Sequence, residues 1–318
     1  MTTLYPLLLQ ATLHEKPWGG TALGSLLNKP VPTGKQIGES WELHDTSIIR
    51  NGALAGKTLR EALDSLGTAL VGNQYDPSEG FPLLAKFLDA SEWLSIQDHP
   101  NDEQARELEG EPRGKNEAWY VMAAQPGARL LIGIQPGTSR ESVAEAIRSG
   151  TLEQYAVYAE VAPGDVLYVE ANTIHALGPG ILIYEIQQSS DTTYRLYDWG
   201  RTDRELHIEK GLRVANLSTL PTIHHTGHDT ARVVEIVRTP YFETRLYQLN
   251  SANGMSIRLD THGTHFHSLT CIDGGALVRA GIHVVPMGMG DTILVPAAWG
   301  AYSLATTSSA RVLLSSPA

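Results

Sequence analysis

The chain has 318 residues, 42% hydrophobic and 19% charged, the composition of an ordinary globular protein long enough for two domains or one large one. Its net charge of −11 argues against general binding to nucleic acid or an anionic membrane, and no apolar run reaches the length of a membrane span. The single cysteine, Cys271, excludes an internal disulfide and fits a cytoplasmic, reducing setting. It lies in the apolar run Leu269-Thr270-Cys271-Ile272, as a buried structural thiol would. Met1-Thr2-Thr3-Leu4-Tyr5-Pro6 lacks the basic-then-apolar order of a secretory signal.

In chain order, Lys16-Pro17-Trp18-Gly19-Gly20 is a turn around a large aromatic, and Gly38-Glu39-Ser40-Trp41-Glu42-Leu43 reads as a strand. Thr58 and Glu61 have capping-box spacing, and Leu59, Leu63, Leu66 and Leu70 form a helical stripe stopped by Gly72. Residues 83–89 and 93–97 read as strands, the second broken at His99-Pro100. Strand periodicity aims Gln97 and His99 at one point, with Ser95 alongside. A polar helix over 102–109 ends at Gly110. Residues 118–123 and 129–134, joined by Gln125-Pro126-Gly127, read as a hairpin with Glu117 at its entrance.

Residues 137–160 read as helical, with capping-box spacing at Thr138 and Glu141 and a second start at Thr151. A strand over 165–170 delivers His175 through the Asn172-Thr173 turn. The strand 182–187 puts Tyr184 and Ile186 on one face and Glu185 and Gln187 on the other. A polar loop over 189–193 delivers Arg195, and a helix over 206–215 closes the first domain. Two imidazoles (His99, His175), the Glu117 carboxylate and the Gln97 amide oxygen make a divalent-metal shell, with Zn favoured by the nitrogen ligands. His224-His225-Thr226-Gly227-His228 has the composition of a metal cluster, but its linker-like surroundings favour a solvated segment.

Beyond 233 the chain echoes itself. Gly290-Asp291-Thr292-Ile293-Leu294-Val295 repeats Gly164-Asp165-Val166-Leu167-Tyr168-Val169, with Ala301 in the place of His175. Ser256-Ile257-Arg258-Leu259-Asp260 echoes Ser95-Ile96-Gln97-Asp98-His99. The second half therefore lacks a matching metal shell. Gly263-Thr264-His265-Phe266-His267 keeps a His-x-His pair, without the glutamate that would complete a second site.

Four motifs, in this order, carry a family resemblance: Phe81-Pro82-Leu83-Leu84-Ala85-Lys86-Phe87-Leu88-Asp89-Ala90, Leu94-Ser95-Ile96-Gln97-Asp98-His99-Pro100-Asn101, Gly114-Lys115-Asn116-Glu117-Ala118-Trp119-Tyr120 and Tyr184-Glu185-Ile186-Gln187-Gln188-Ser189-Ser190-Asp191-Thr192-Thr193-Tyr194-Arg195. Together they resemble type I mannose-6-phosphate isomerase in its shorter bacterial form. With the turn-rich strand pattern, this implies a mainly β fold of two cupin-like, jelly-roll barrels with a few supporting helices. Residues 1–217 would form the catalytic domain with helical insertions, 218–232 a linker, and 233–318 a second barrel without the metal shell.

The resemblance implies interconversion of mannose 6-phosphate and fructose 6-phosphate by proton transfer through a cis-enediol. It implies one Zn2+ per chain and a sugar-phosphate partner, in a monomer or homodimer. Arg195 matches the family's active-site arginine; it cannot readily serve as a base, so charge stabilisation or phosphate binding is its role. Lys86, Lys115, Glu185 and Asp191 are the other catalytic candidates, and Ser95, Lys115, Arg195 and Arg201 the substrate-binding ones. Lys86 is also a candidate base, Asp191 and Arg195 could instead form a structural ion pair, and Glu42 lies in a segment that flanks the family's active site. An iron-dependent oxygenase on the same barrel and a non-catalytic sugar-phosphate regulator are the rival readings.

Overall fold

The computed structural model describes residues 4–227 and 229–318, so the N-terminal tripeptide and His228 lie outside the described residues. The fold is mainly β, as expected. Its centre is a seven-stranded antiparallel sheet in the order Ile223–His225, Asp165–Val169, Glu117–Ala124, Ile181–Gln188, Leu83–Ala90, Ile37–Leu43, Thr12–Glu15. Both faces of its central strands are covered, and the alternation in each strand assigns a face to each partner. Leu83, Ala85, Phe87, Tyr184, Ile186, Ala118 and Tyr120 join the core shared with the C-terminal half. Their neighbours Lys86, Leu88, Ile183, Glu185, Glu117 and Trp119 face the other way, toward a second, shorter layer.

That layer contains Ala156–Glu160, Arg129–Ile134 and Ala176–Leu177. The Gln97–His175 bridge continues it to Ile96–Asp98 and Tyr194–Tyr197. Two sequence expectations change here. Glu117–Ala124 and Arg129–Ile134 do not form a hairpin. Glu117–Ala124 already lies between two partners and has no free edge. The chain turns at Gln125, with Gly127 at φ 78°, and crosses to the opposing layer. The segment 137–160 is only partly helical. Ser139, not Thr138, caps the helix Arg140–Arg148, and Ala156–Glu160 is a strand against Arg129–Ile134. The helix at Leu59–Leu66 has its Thr58/Glu61 capping box but breaks at Gly67, then resumes over Thr68–Val71.

The C-terminal sheet runs Val233–Arg238, Phe242–Leu249, Ala310–Pro317, His267–Ala280, Thr292–Val295, Leu7–Gln10, Ile48–Ile49. The strand His267–Ala280 bends out of it, and its second half pairs with His283–Gly288 and Ala301–Ala305. The strand Leu7–Gln10, expected with the first domain, pairs with Thr292–Val295. Residues 218–232 are not a bare linker either: Ile223–His225 extends the central sheet, and His225 Nδ1 meets Asp165 Oδ1 at 2.6 Å. That contact gives His225 a structural partner. His267 is likewise engaged, with Nδ1 2.9 Å from the Tyr302 hydroxyl.

The halves share one apolar core, and polar pins cross it. The Tyr184 and Ser315 hydroxyls lie 3.1 Å apart, and Arg311 donates to the Tyr120 hydroxyl at 2.6 Å. Lys29 Nζ lies 2.7 Å from Glu42 and donates to the Gly290 carbonyl at 2.6 Å. Burial pushes the Glu42 carboxyl up, and Lys29 opposes that rise. Removing the cation alone strands a buried carboxylate. We expect Lys29→Met to destabilise the fold by about 3–5 kcal/mol, seen as a lower thermal midpoint, and Lys29→Met with Glu42→Met to recover most of the loss.

Candidate functional site

Register builds the floor of the site. On the central sheet Lys86 lies opposite Glu185, Glu185 opposite Trp119, and Gln187 opposite Glu117. Directly opposed residues share a face, so two charged rows point into the space between the layers. The shorter layer faces them through Gln97 and His175, whose backbones exchange hydrogen bonds at 3.0 and 2.9 Å. His99 is held by its own carbonyl, which accepts from Asn172 N at 2.8 Å and Asn172 Nδ2 at 3.1 Å. Asn172 has φ 75°, a left-handed conformation that asparagine tolerates better than most residues. This turn brings His175 back beside His99, with ring centroids 4.9 Å apart.

The imidazole tautomers follow from their partners. Each Nδ1 faces a carbonyl, Thr192 O at 2.9 Å for His99 and Thr173 O at 2.8 Å for His175, so each Nδ1 donates. Each Nε2 then carries a lone pair: that of His99 accepts from Lys115 Nζ at 3.1 Å and lies 3.6 Å from Glu117, and that of His175 lies 3.3 Å from Glu117. Candidate ligand atoms of His99, Glu117 and His175 all lie within 4.8 Å of one another, and all three residues are buried. Among the described residues this is the one group of three or more His, Cys, Asp or Glu side chains so gathered. Gln97 completes the cluster: its amide is 3.4 Å from His175 Nε2 and accepts from Ser95 Oγ at 3.0 Å. Turning that amide over brings its oxygen toward the cluster, with the Ser95 hydroxyl free to accept instead. Both Glu117 oxygens are buried; Lys115 Nζ lies 2.7 Å from Oε2, and among the described residues Oε1 has no hydrogen-bond donor. Unprotonated nitrogens, one carboxylate and one amide oxygen fit a divalent cation.

Electrostatics support that reading. Burial lowers His175 to about 4. It also holds His99 well below its ordinary value, with Lys115 adding to the effect. Both are therefore neutral at pH 7. Burial alone would lower Lys115, but Glu117 and Glu185 outweigh it and hold the ammonium above its usual value. Glu185 is pushed up, by burial first and then by Glu117. Burial also acts to raise Glu39, yet Lys86 and Lys16 outweigh it and bring the carboxyl down to about 2. Lys86 Nζ sits between two carboxylates, 3.8 Å from Glu39 and 3.6 Å from Glu185, and 4.8 Å over the Trp41 ring. Trp119 Nε1 donates to Glu185 at 2.9 Å and Trp41 Nε1 to Glu39 at 2.7 Å.

A cavity of about 220 Å³ opens above this floor. Its wall includes Gln97 and His175 of the cluster, with Ser95, Lys86, Lys115 and Glu185. Asp191, Thr193, Arg195 and Arg204 line it as well. Residues 7–123 match the family model of the phosphomannose isomerase type I catalytic domain. Mannose-6-phosphate isomerase ManA of Bacillus subtilis (strain 168) is 33% identical over 95% of this chain and 96% of its own length. The chain belongs to the type I mannose-6-phosphate isomerase family. A mannose-6-phosphate isomerase of Streptococcus mutans is 34% identical over 92% of this chain and 92% of its own. The crystal structure of the mannose 6-phosphate isomerase from Bacillus subtilis matches with a TM-score of 0.82 and 29% identity, covering 98% of this chain and 99% of that one.

Against that family the sequence-derived residues sort clearly. Gln97, His99, Glu117 and His175 converge, and Ser95, Lys86, Lys115, Glu185, Asp191 and Arg195 meet at one cavity. Arg201 is not among the residues that line it. Its guanidinium is taken by Asp198 at 2.7 Å and the Trp93 carbonyl at 2.7 Å. Glu42 lies in the joint between the halves, and its strand neighbour Glu39 takes the place at the cavity. A strand pattern pairs Glu39 with Trp41 and sets Glu42 opposite, but which face meets the site is fixed by tertiary packing. Among the described residues no ion pair joins Asp191 to Arg195, and Arg195 Nη1 donates to the Glu205 carbonyl at 2.8 Å. Lys16, Trp119, Thr193 and Arg204 are not singled out by the sequence, although Lys16, Trp119 and Thr193 stand inside motifs it offers.

The His175 shift has a sign for stability. Its folded pKa of about 4 lies below the ordinary 6.5, so the unfolded chain takes up its proton first as pH falls. In chelator, the stabilisation tied to the neutral ring is whole above pH 6.5. It should decline by roughly 3 kcal/mol as pH falls toward 4. Urea unfolding across that window should show the decline, and His175→Gln should flatten it.

Proposed function

We propose that the chain is a zinc-dependent aldose–ketose isomerase that interconverts mannose 6-phosphate and fructose 6-phosphate through a cis-enediol. The observation that carries this is the buried meeting of His99, Glu117, His175 and Gln97 at the wall of a cation-lined cavity. Zn2+ held by these four side chains would act as a Lewis acid toward the substrate oxygens. The one carboxylate in the set leaves the site net positive. In our reading 1–217 carries this chemistry and 233–318 is a second jelly-roll barrel that braces it, in a chain that works in the cytoplasm.

The chain's own residues divide the remaining work. The reaction removes a proton from C2 of the open-chain aldose and returns one to C1. The acid and base must therefore reach two adjacent carbons on one face. Lys86 and Glu185 are fixed side by side in the cavity floor, and Lys115 stands next to Glu117. The Lys115 ammonium, held above its usual value by two carboxylates, stabilises negative charge rather than taking a proton. Glu185 is raised by burial and then by Glu117, the direction that suits a carboxyl that gives and takes a proton. Asp191, exposed at the rim, and Glu39 are the other two carboxylates that line the cavity. Ser95 and Arg195 offer donors to substrate oxygens.

Conversion of mannose 6-phosphate to fructose 6-phosphate should be lost on chelation and return with Zn2+. Turnover that survives complete metal removal would sink the reading. His99→Ala should lose bound metal and turnover together, with Nδ1 no longer available to hold Thr192. Arg195→Ala should keep the metal and lower turnover by at least about 10-fold; an unchanged rate removes Arg195 from the site.

A further inference from the structure

The cavity rim holds a cluster of guanidiniums that the metal site does not explain. Arg195 and Arg204 both line the cavity, and Arg201 lies behind them. Asp198, only 2% exposed, is the carboxylate that binds the last two. Its Oδ1 accepts from Arg201 Nε at 3.1 Å and Nη2 at 2.7 Å. Arg204 reaches the same carboxylate through Nε, at 2.9 Å to Oδ2, and through Nη2, at 2.5 Å to Oδ1. That fork occupies Arg204 Nε and Nη2, and among the described residues Nη1 has no hydrogen-bond partner.

The turn that carries Asp198 is itself fixed. Trp199 and Gly200 take φ of 54° and 81°, and Arg201 N donates to the Asp198 carbonyl at 2.9 Å. Trp199 stacks on Trp93 at 5.1 Å, and its Nε1 donates to the Leu94 carbonyl at 2.6 Å. The cluster is thus bolted to the segment that presents Ser95. Arg195 has a buried Nε with no hydrogen-bond partner. Arg204 lines the same cavity, so two like charges meet at the rim. Arg201 and Arg204 share one buried carboxylate and Arg195 lines the same cavity, so guanidiniums outnumber Asp198 at the mouth of a pocket in an acidic chain, with Glu92 3.5 Å from Arg201 and Asp191 on the cavity wall. A dianion between Arg195 and Arg204 would relieve that repulsion and fill both sets of donors.

We propose that Arg204, aimed by Asp198, closes with Arg195 on the phosphate group of the substrate, and that Arg201 is a brace behind Asp198 and not a phosphate ligand. This rests on the sugar-phosphate reading above. Arg204 sets specificity for the phosphorylated sugar; Asp198 is a positioning residue that acts through it.

The test compares kcat/KM for mannose 6-phosphate and for mannose, and the inhibition constant of inorganic phosphate, in the metal-loaded enzyme. Arg204→Gln should lower the preference for the phosphorylated sugar by about 10- to 100-fold, through KM more than kcat, and weaken phosphate inhibition by a like factor. Arg204→Lys, which keeps charge but not the fork, should fall between. Asp198→Asn should raise KM for mannose 6-phosphate and weaken phosphate inhibition in the same direction as Arg204→Gln, and an unchanged KM and phosphate inhibition in the folded variant would remove its positioning role. An unchanged preference in folded Arg204→Gln or Arg204→Lys overturns the proposal, and so does an equal loss on both sugars. If the wild type isomerises neither sugar, the functional reading fails on its own. The clamp is then judged by the thermal shift that inorganic phosphate gives: a shift lost in Arg204→Gln supports it, and one kept overturns it.

Discussion

The constraint on which the structure depends is the burial of alternating charge between two β layers. Glu39, Glu117, Glu185, Lys86 and Lys115 are each at most 8% exposed. An ion taken from water costs several kcal/mol even after relaxation, and only close opposite charge or hydrogen bonds offset that. Here the offset is geometric. Lys16, Glu39, Lys86 and Glu185 form one chain of opposite charges, and Lys115 and Glu117 another. Neither chain survives a slip in strand register, because a shift of one residue would send Lys86 or Glu185 to the opposite face.

Register of that quality needs sheet faces that are both specified. The face away from the cavity is apolar and continuous with the C-terminal sheet, so Phe87, Tyr184 and Tyr120 have one acceptable side. Leu7–Gln10 ties the chain's start into the C-terminal sheet and Lys29 reaches across to Gly290, which locks the same joint from its edge. In this sense the C-terminal half contributes to the site without lending it a side chain. It fixes which way the central strands face, and the charges follow.

Much of this was legible before any coordinates. The Ile96–Asp98 strand, the Asn172-Thr173 turn and the alternation of Tyr184 with Glu185 are local patterns, and local patterns carry over. That is why Gln97, His99, Glu117 and His175 could be named together. The misses have a common cause. Whether Glu117–Ala124 pairs with Arg129–Ile134, whether Glu39 or Glu42 faces the cavity, and where Leu7–Gln10 finds its partner all depend on contacts remote in sequence. Alternation reports that a strand has two faces and is silent on what lies against each. Arg201 and Arg204 illustrate the same limit in a turn: three residues apart in an irregular stretch, one faces the cavity and the other is spent on Asp198 and a backbone carbonyl.

The two ends of the cavity then differ in kind. Its floor is dry, paired and held by strands, which suits groups whose protonation must be set in advance of the reaction. Its rim is built on the turn after Tyr194–Tyr197, half-exposed and carrying Arg195 and Arg204, which suits a dianion that must enter from water and leave again. Separating the ends reduces a conflict. A phosphate beside Glu117 and Glu185 would repel both carboxylates and raise Glu185 further. In the proposed arrangement the same charge would sit beside Arg195 and Arg204 at the rim, and an open-chain sugar extended inward would bring C1 and C2 toward the floor. The acidic surface of the chain adds a reason for an arginine cluster: a dianion repelled by a net charge of −11 needs a local field that overrides it, and guanidiniums stay charged where burial would disfavour other cations.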